Sequence, residues 1–69
     1  MWIARDKNGR LFAYKKRPMK GEFCFLPKYG TKMCEVGCNY YDWMTWDNSP
    51  YYIRISYEYF FVNYGIAFP

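Results

Sequence analysis

Hydrophobic and polar positions in this chain alternate over short runs, and turn-forming residues separate the runs. This spacing is typical of consecutive short β-strands. The first two runs, Trp2–Arg5 and Arg10–Lys15, flank the dipeptide Asn8-Gly9. Asn-Gly is the strongest short hairpin signal, because both residues tolerate the positive φ of a type I′ turn. The pattern therefore predicts an N-terminal β-hairpin.

The second arm of this hairpin carries apolar residues on both sides. Successive side chains of a strand point to opposite faces of a sheet. Phe12 and Tyr14 are therefore expected on one face, and Leu11 and Ala13 on the other.

A second hairpin is predicted from Glu22–Pro27 to Lys32–Val36, with its turn at Tyr29-Gly30. Pro27 cannot donate a ladder hydrogen bond, so it is expected at a strand end or at a sheet edge. The following stretch is less regular, and one helical turn at Tyr40–Met44 fits its spacing.

The last predicted strand, Tyr51–Tyr59, has the strictest alternation in the chain. Ile and Tyr at odd positions alternate with Arg54, Ser56 and Glu58, which predicts one buried and one solvated face. Three apolar residues extend the run to Val62. The elements together predict a single domain over residues 1–69. Its expected fold is all-β or nearly so: an antiparallel sheet of about five strands, curled into a half-barrel, with at most one short helix.

Aromatic residues make up 26% of the 69 positions, whereas Ile, Leu and Val together number only eight. Because one aromatic side chain buries roughly 150–250 Å², a few of them are enough for the core of so short a chain. The others are expected on the surface, where Tyr and Trp favour interfaces.

Charge is distributed unevenly. The first 32 residues hold nine Lys or Arg against two carboxylates, a net charge of +7, and the remainder holds one against four, a net charge of −3. A basic half and an aromatic, mildly acidic half suggest a binding protein with two different faces.

The segments WIARDKNGRLFAYKKRP (residues 2–18) and TWDNSPYYIRI (residues 45–55) together resemble short, functionally uncharacterised proteins of gut Bacteroidales and their phages. The resemblance covers both ends of the chain but not its middle or its Tyr-rich tail. It implies a small β-rich fold and a phage or mobile-element setting. A small phage protein often binds a host protein, for example to inhibit a defence factor, and this step is analogy.

Catalysis has little support in the residues. The chain contains no His, the commonest general base near neutral pH, and its six carboxylates are scattered singly. Cys24, Cys34 and Cys38 are spaced as C-x9-C-x3-C, which lacks the fourth ligand of a structural zinc site. We expect free thiols, no cofactor, no metal ion and no enzymatic activity.

Nucleic-acid binding is one of two functional predictions. Small β modules hold single strands by stacking bases on rings and placing cations beside phosphates. The phosphate-binding candidates are Arg10, Lys15, Lys16, Arg17 and Lys20, and the stacking candidates are Phe12, Tyr14 and Tyr52. The alternative is that the basic run is a solvated turn and that Phe12 and Tyr14 belong to the core.

Protein binding is the other prediction, and the one that we favour. Tyr and Trp dominate interface hot spots, and the candidate residues are Tyr40, Tyr41, Trp43 and Trp46. The alternative is that the two Trp side chains close one end of the core. Self-association through the edge of the Tyr51–Val62 strand is a further prediction. The sequence has neither a membrane-spanning run nor a signal peptide, which predicts a cytoplasmic protein in a host cell.

Overall fold

The structure, a computed structural model, describes residues 1–66. It is mostly β. The strands are β1 (Trp2–Arg5), β2 (Leu11–Tyr14), β3 (Met19–Lys20), β4 (Phe25–Leu26), β5 (Met33–Val36), β6 (Tyr51–Tyr52) and β7 (Gly65–Ile66), and the α-helix is α1 (Tyr57–Tyr64). A 3-10 turn covers Lys28–Gly30.

Five strands form one antiparallel sheet in the order β6-β1-β2-β5-β7, and β3 and β4 form a separate two-stranded ribbon. The strands of residues 1–66 do not close into a barrel. The prediction of a nearly all-β fold with a five-stranded sheet and one short helix is confirmed.

The N-terminal hairpin is confirmed, and its turn differs from the predicted one. Asp6 and Arg10 close the loop, because the Asp6 N–H donates to the Arg10 carbonyl at 2.8 Å. The positive φ of this loop falls on Gly9 alone, at 93°. The side chain of Asn8 instead accepts a hydrogen bond from the Arg10 N–H at 3.0 Å. The loop therefore has three residues and ends in a left-handed glycine, not in a type I′ turn.

The side chains of β2 divide between two faces as the alternation predicted, and both faces are buried. Leu11 and Ala13 pack in a cluster that also contains residues of β5 and α1. Phe12 and Tyr14 pack on the opposite face with Phe25 of β4. The sheet is therefore the middle layer of three, since α1 covers one face and the β3-β4 ribbon covers the other.

The second predicted hairpin is wrong in its pairing. β4 pairs with β3, and β5 pairs with β2. The Tyr29-Gly30 turn is present, with φ of 53° and 67°, but it connects strands of different sheets. Asp6 explains part of this arrangement, because its carboxylate accepts the Phe25 N–H at 2.8 Å and holds β4 against the first hairpin.

The prediction of a long C-terminal strand is also wrong. The observed strand β6 ends at Tyr52, and α1 follows it. Ser56 caps the helix by accepting the Tyr59 N–H at 3.2 Å, and Glu58 lies in the first turn, where the helix dipole favours an anion. Tyr57 and Phe60, three residues apart, are the buried residues of the helix. The long edge strand through which self-association was predicted is therefore not formed, and self-association itself stays a prediction.

The predicted helical turn at Tyr40–Met44 is replaced by irregular turns, with Tyr41 at a φ of 48°. Carbonyl groups of this stretch accept hydrogen bonds from a side chain outside it, as described below. No helix within residues 1–66 has the length and apolar character needed to cross a membrane.

Candidate functional site

The loop between β5 and β6 holds the residues predicted for protein binding, and Arg5 of β1 holds this loop in place. The Arg5 guanidinium donates hydrogen bonds of 2.6–3.2 Å to backbone carbonyl groups and pairs with no carboxylate. The five acceptors are the carbonyls of Gly9, Cys38, Tyr40, Tyr41 and Met44. One side chain thus satisfies carbonyls that the irregular backbone would otherwise leave unpaired.

A second set of hydrogen bonds closes the far end of the loop. The Ser49 hydroxyl accepts the Arg5 N–H at 2.9 Å and donates to the Thr45 carbonyl at 2.5 Å. Thr45 and Asn48 bond reciprocally, each side chain accepting the backbone N–H of the other, at 2.7 and 3.2 Å. The Asn48 amide also donates to the Trp43 carbonyl at 3.1 Å. The segment Asp47-Asn48-Ser49-Pro50 therefore has a structural role in shaping the loop.

The loop and α1 together form a continuous aromatic surface. We use this name for Tyr40, Tyr41, Trp43, Tyr51, Phe60 and Tyr64. Neighbouring rings follow one another along it with centroid distances of 5.0–6.3 Å, in the order Tyr51, Trp43, Tyr41, Phe60, Tyr64, Tyr40. Edge-to-face and tilted arrangements at such distances are favourable for aromatic pairs.

A pocket of about 300 Å³ opens in this surface, and Tyr40, Tyr41, Ile55, Phe60 and Tyr64 line it. No charged side chain belongs to the lining. Burial raises the pKa of the Tyr41 hydroxyl, and the neighbouring Tyr64 raises it further. The Tyr41 phenol is therefore neutral at physiological pH, and the pocket combines ring faces with tyrosine hydroxyl groups.

Trp46 lies away from the other three predicted interface residues. Its ring packs against Phe25 on the opposite side of the sheet, at a centroid distance of 5.2 Å, and is half-buried. The Lys20 ammonium lies 4.4 Å from the centre of the Trp46 ring. Of the four candidates, the structure brings together Tyr40, Tyr41 and Trp43.

Two of the five basic candidates are paired with carboxylates. Arg10 makes two hydrogen bonds of 2.8 Å to the carboxylate oxygens of Glu35. This ion pair raises the pKa of Arg10 and lowers that of Glu35. Lys15 lies 3.0 Å from a carboxylate oxygen of Glu58, whose pKa it lowers. Both pairs lie at the surface, where their electrostatic effect is screened by solvent.

The other basic candidates lie near aromatic rings or in solvent. The Arg17 guanidinium is 5.1 Å from the centre of the Trp2 ring, and the Trp2 ring contacts Tyr52 edge-on at 5.3 Å. Lys20 has its contact with Trp46. Lys16 is exposed and makes no hydrogen bond, ion pair or ring contact to another described residue.

Two of the three rings predicted to stack on bases belong to the core. Phe12 and Tyr14 are buried between the sheet and the β3-β4 ribbon. This agrees with the alternative prediction, in which both rings belong to the core. Tyr52 is half-exposed, and its pairing with Trp2 brings it to the basic N-terminal half.

The three cysteines lie in different environments. Cys34 is buried, Cys24 is half-buried and Cys38 is exposed, and all three are free thiols. Burial raises the pKa of the Cys34 thiol, and a hydrogen bond from Tyr57 partly offsets this increase. Residues 1–66 contain no group of three side chains placed to bind a metal ion.

Sequence reasoning missed Arg5 and half of the aromatic surface. Tyr51, Phe60 and Tyr64 were assigned to a strand or left outside the site. Ser56 followed by Glu58 is a helix-start signal, and recognising it would have placed Phe60 and Tyr64, four residues apart, on one helix face.

Comparison with protein-family models, with curated proteins and with solved structures found no match to this chain. Its function is therefore inferred from the aromatic surface and from the cluster of Arg17, Trp2 and Tyr52.

Proposed function

We propose that this protein is a non-enzymatic binding protein and that the aromatic surface is its interface with a protein partner. The observation that carries the proposal is the exposure of the rings at both ends of this surface, which the half-buried Tyr41 and the buried Phe60 connect. Trp43 is 51% exposed, and Tyr40, Tyr51 and Tyr64 are each close to half exposed. Contiguous exposed apolar surface marks interaction sites, and Tyr and Trp are the residue types enriched in their hot spots.

The rigidity of the loop favours the same function. The hydrogen bonds from Arg5, Ser49 and Asn48 hold the backbone of the loop before any partner arrives. An interface that is ordered in the free protein loses less conformational entropy on binding. The exposed rings are also packed on one another, which limits their rotamers.

The pocket offers little for catalysis. Its polar groups are tyrosine hydroxyls, and the carboxylates of Glu35 and Glu58 are paired with Arg10 and Lys15 outside it. Binding is therefore the simpler use of the site. The wider proposal follows the sequence resemblance: a phage or mobile-element protein that acts in the host cytoplasm by binding a host protein, for which a defence factor is the suggested class.

The test is capture of a partner with Trp43→Ala as the interface variant and Tyr29→Ala as the matched control. Tyr29 is 91% exposed but lies on the 3-10 turn, outside the aromatic surface. Tagged proteins are incubated with host lysate after nuclease treatment. We expect one stoichiometric protein with the native chain and with Tyr29→Ala, and at least about tenfold less with Trp43→Ala, as for hot-spot residues. Equal recovery with both variants would contradict the proposal.

The second candidate function is binding of single-stranded nucleic acid, favoured by the cluster of Arg17, Trp2 and Tyr52. Its affinity should fall steeply with salt, because phosphate contacts release counterions. Arg17→Ala should weaken binding of a fluorescent oligonucleotide more than Lys28→Ala, which removes the same charge beside Tyr29. Equal effects of the two variants would indicate non-specific attraction only.

A further inference from the structure

We propose that the pocket in the aromatic surface is an aromatic cage that binds a quaternary ammonium group. Quaternary ammonium is the chemistry shared by a trimethyllysine side chain and a choline head group. The inference deepens the proposed function and rests on it to the extent that a protein partner carries the group.

The shape of the wall fits a round ion. Tyr40 and Tyr64 meet at an interplanar angle of 66°, Phe60 and Tyr64 at 39°, and Tyr41 and Phe60 at 37°. These tilted rings and Ile55 together line the pocket, and Phe60 is the buried ring among them. A planar guanidinium is best accommodated flat on a single ring. A tetrahedral cation with methyl groups on all sides instead contacts several tilted rings at once.

Within residues 1–66, no Lys or Arg makes a cation–π contact to a ring of the pocket. Residues 1–66 contain six cation–π contacts, made to Phe12, Trp2, Phe23, Phe25, Trp46 and Tyr29. None of them uses Tyr40, Tyr41, Phe60 or Tyr64. The ring faces of the pocket thus differ from those of Phe23 and Tyr29, two exposed rings that lie beside Lys7 and Lys28.

The surroundings also favour a weakly hydrated cation. The pocket is lined by four aromatic residues and Ile55, and no charged side chain belongs to this lining. The lining has no carboxylate, so the N–H groups of an ordinary lysine would lose water without gaining an ion pair. A quaternary ammonium group has no N–H to satisfy and is attracted by ring faces alone.

The first experiment compares choline with 3,3-dimethyl-1-butanol, its neutral carbon isostere, by NMR titration of the native protein. We expect choline to shift the ring signals of Tyr40, Tyr41 and Tyr64 and to bind at least about fivefold tighter than the isostere, as a cation–π contribution predicts. Equal or tighter binding of the isostere would overturn the inference, because the pocket would then be only apolar. Absence of shifts with both ligands would overturn it as well.

Variants on α1 locate the site. Tyr64→Leu removes a ring of the pocket, whereas Tyr59→Leu removes a ring of the same helix that is 60% exposed and outside the pocket. We expect Tyr64→Leu to lose the preference for choline, and Tyr59→Leu and Tyr64→Phe to keep it. Loss of the preference in Tyr59→Leu, or its retention in Tyr64→Leu, would contradict the assignment.

A last comparison identifies the carrier and separates this inference from the proposed function. A short peptide containing trimethyllysine should bind more tightly than the same peptide with lysine and more tightly than free choline. If the isostere binds as tightly as choline while partner capture still depends on Trp43, the cage is refuted and the protein interface is supported. A preference for choline with no dependence of capture on Trp43 would support the cage as a small-molecule site and refute the interface.

Discussion

The Ser49 hydroxyl accepts a hydrogen bond from the backbone N–H of Arg5 at 2.9 Å, across 44 residues of chain. The Arg5 guanidinium reaches past this contact to the Met44 carbonyl at 2.6 Å. Two groups of one residue thus bind both halves of the loop that carries the aromatic surface. The stability of the sheet and the shape of the candidate interface are therefore linked through Arg5.

Arg5→Lys is expected to lower the free energy of unfolding by at least about 2 kcal/mol, since hydrogen bonds to charged groups contribute about 1.5–3 kcal/mol each. An ammonium group has three donors and cannot reproduce the fork that reaches five carbonyls. Urea denaturation measures the effect. Arg54→Lys is the control, because Arg54 is exposed and should tolerate the change within about 0.5 kcal/mol. Equal stabilities of the two variants would refute the role of Arg5.

Asp6→Ala should destabilise the protein by about 1–3 kcal/mol, because it leaves the buried Phe25 N–H without an acceptor. Asp6→Asn keeps a side-chain oxygen for this N–H and removes a charge that burial disfavours. We therefore expect Asp6→Asn to be at least as stable as the native chain at neutral pH. Chemical denaturation of both variants provides the comparison, and similar losses in the two would argue against the hydrogen bond.

The Asp6 carboxyl also predicts a pH dependence. Burial raises its pKa above the ordinary aspartate value, partly opposed by the hydrogen bond from Phe25. The folded state therefore binds this proton more tightly than the unfolded state does. Relative to Asp6→Asn, the native chain should gain stability as the pH falls through the raised pKa. The gain should be complete below the ordinary value. Unfolding of both proteins between about pH 3 and 7 measures this difference, and an opposite sign would contradict the burial of Asp6.

Ser56→Ala should cost about 1 kcal/mol of stability, which is typical for loss of a helix N-cap. The Ser56 hydroxyl accepts the Tyr59 N–H, so Ser56→Asp should retain most of the stability. Far-UV circular dichroism with thermal unfolding checks both variants. If the segment were a strand, as its alternation suggests, the two substitutions would have similar effects.

The cysteines should react with alkylating reagents in the order of their exposure. Cys38 should be modified first, and Cys34 should stay protected until the protein unfolds, because burial also raises the pKa of its thiol and only the thiolate reacts. Mass spectrometry after a timed pulse of iodoacetamide gives the rate for each site. A Cys34 that reacts as fast as Cys38 in the native protein would show that the α1 face of the sheet is open.

The parts of the fold that sequence reasoning predicted correctly depend on neighbouring residues. The hairpin of β1 and β2 follows from Gly9 between two apolar arms, and the two faces of β2 follow from the two-residue period of a strand. The chain between Tyr51 and Val62 misled the same reasoning. Its residues alternate with period two, yet the Ser56 cap and the packing of Tyr57 and Phe60 favour a helix.

The site was predictable only in part, for the same reason. Tyr40, Tyr41 and Trp43 are close together in sequence and were recognised as one patch. Trp46 lies within the turn that Thr45 and Asn48 close, and its ring packs against Phe25 on the opposite side of the sheet. Local composition does not reveal on which side of a sheet the side chain of a turn residue packs.

The amino-acid sequence alone predicts the class of the fold, the first hairpin, the two faces of β2 and the asymmetry of charge. These follow from residue period, turn chemistry and composition, which act over a few residues. Three features are visible only in the folded protein. β5 pairs with β2, and Arg5 binds the carbonyls of a loop more than thirty residues away. Phe60 and Tyr64 complete a pocket with Tyr40. Such contacts join distant segments, and many pairings of aromatic strands compete until backbone hydrogen bonds and close packing select one.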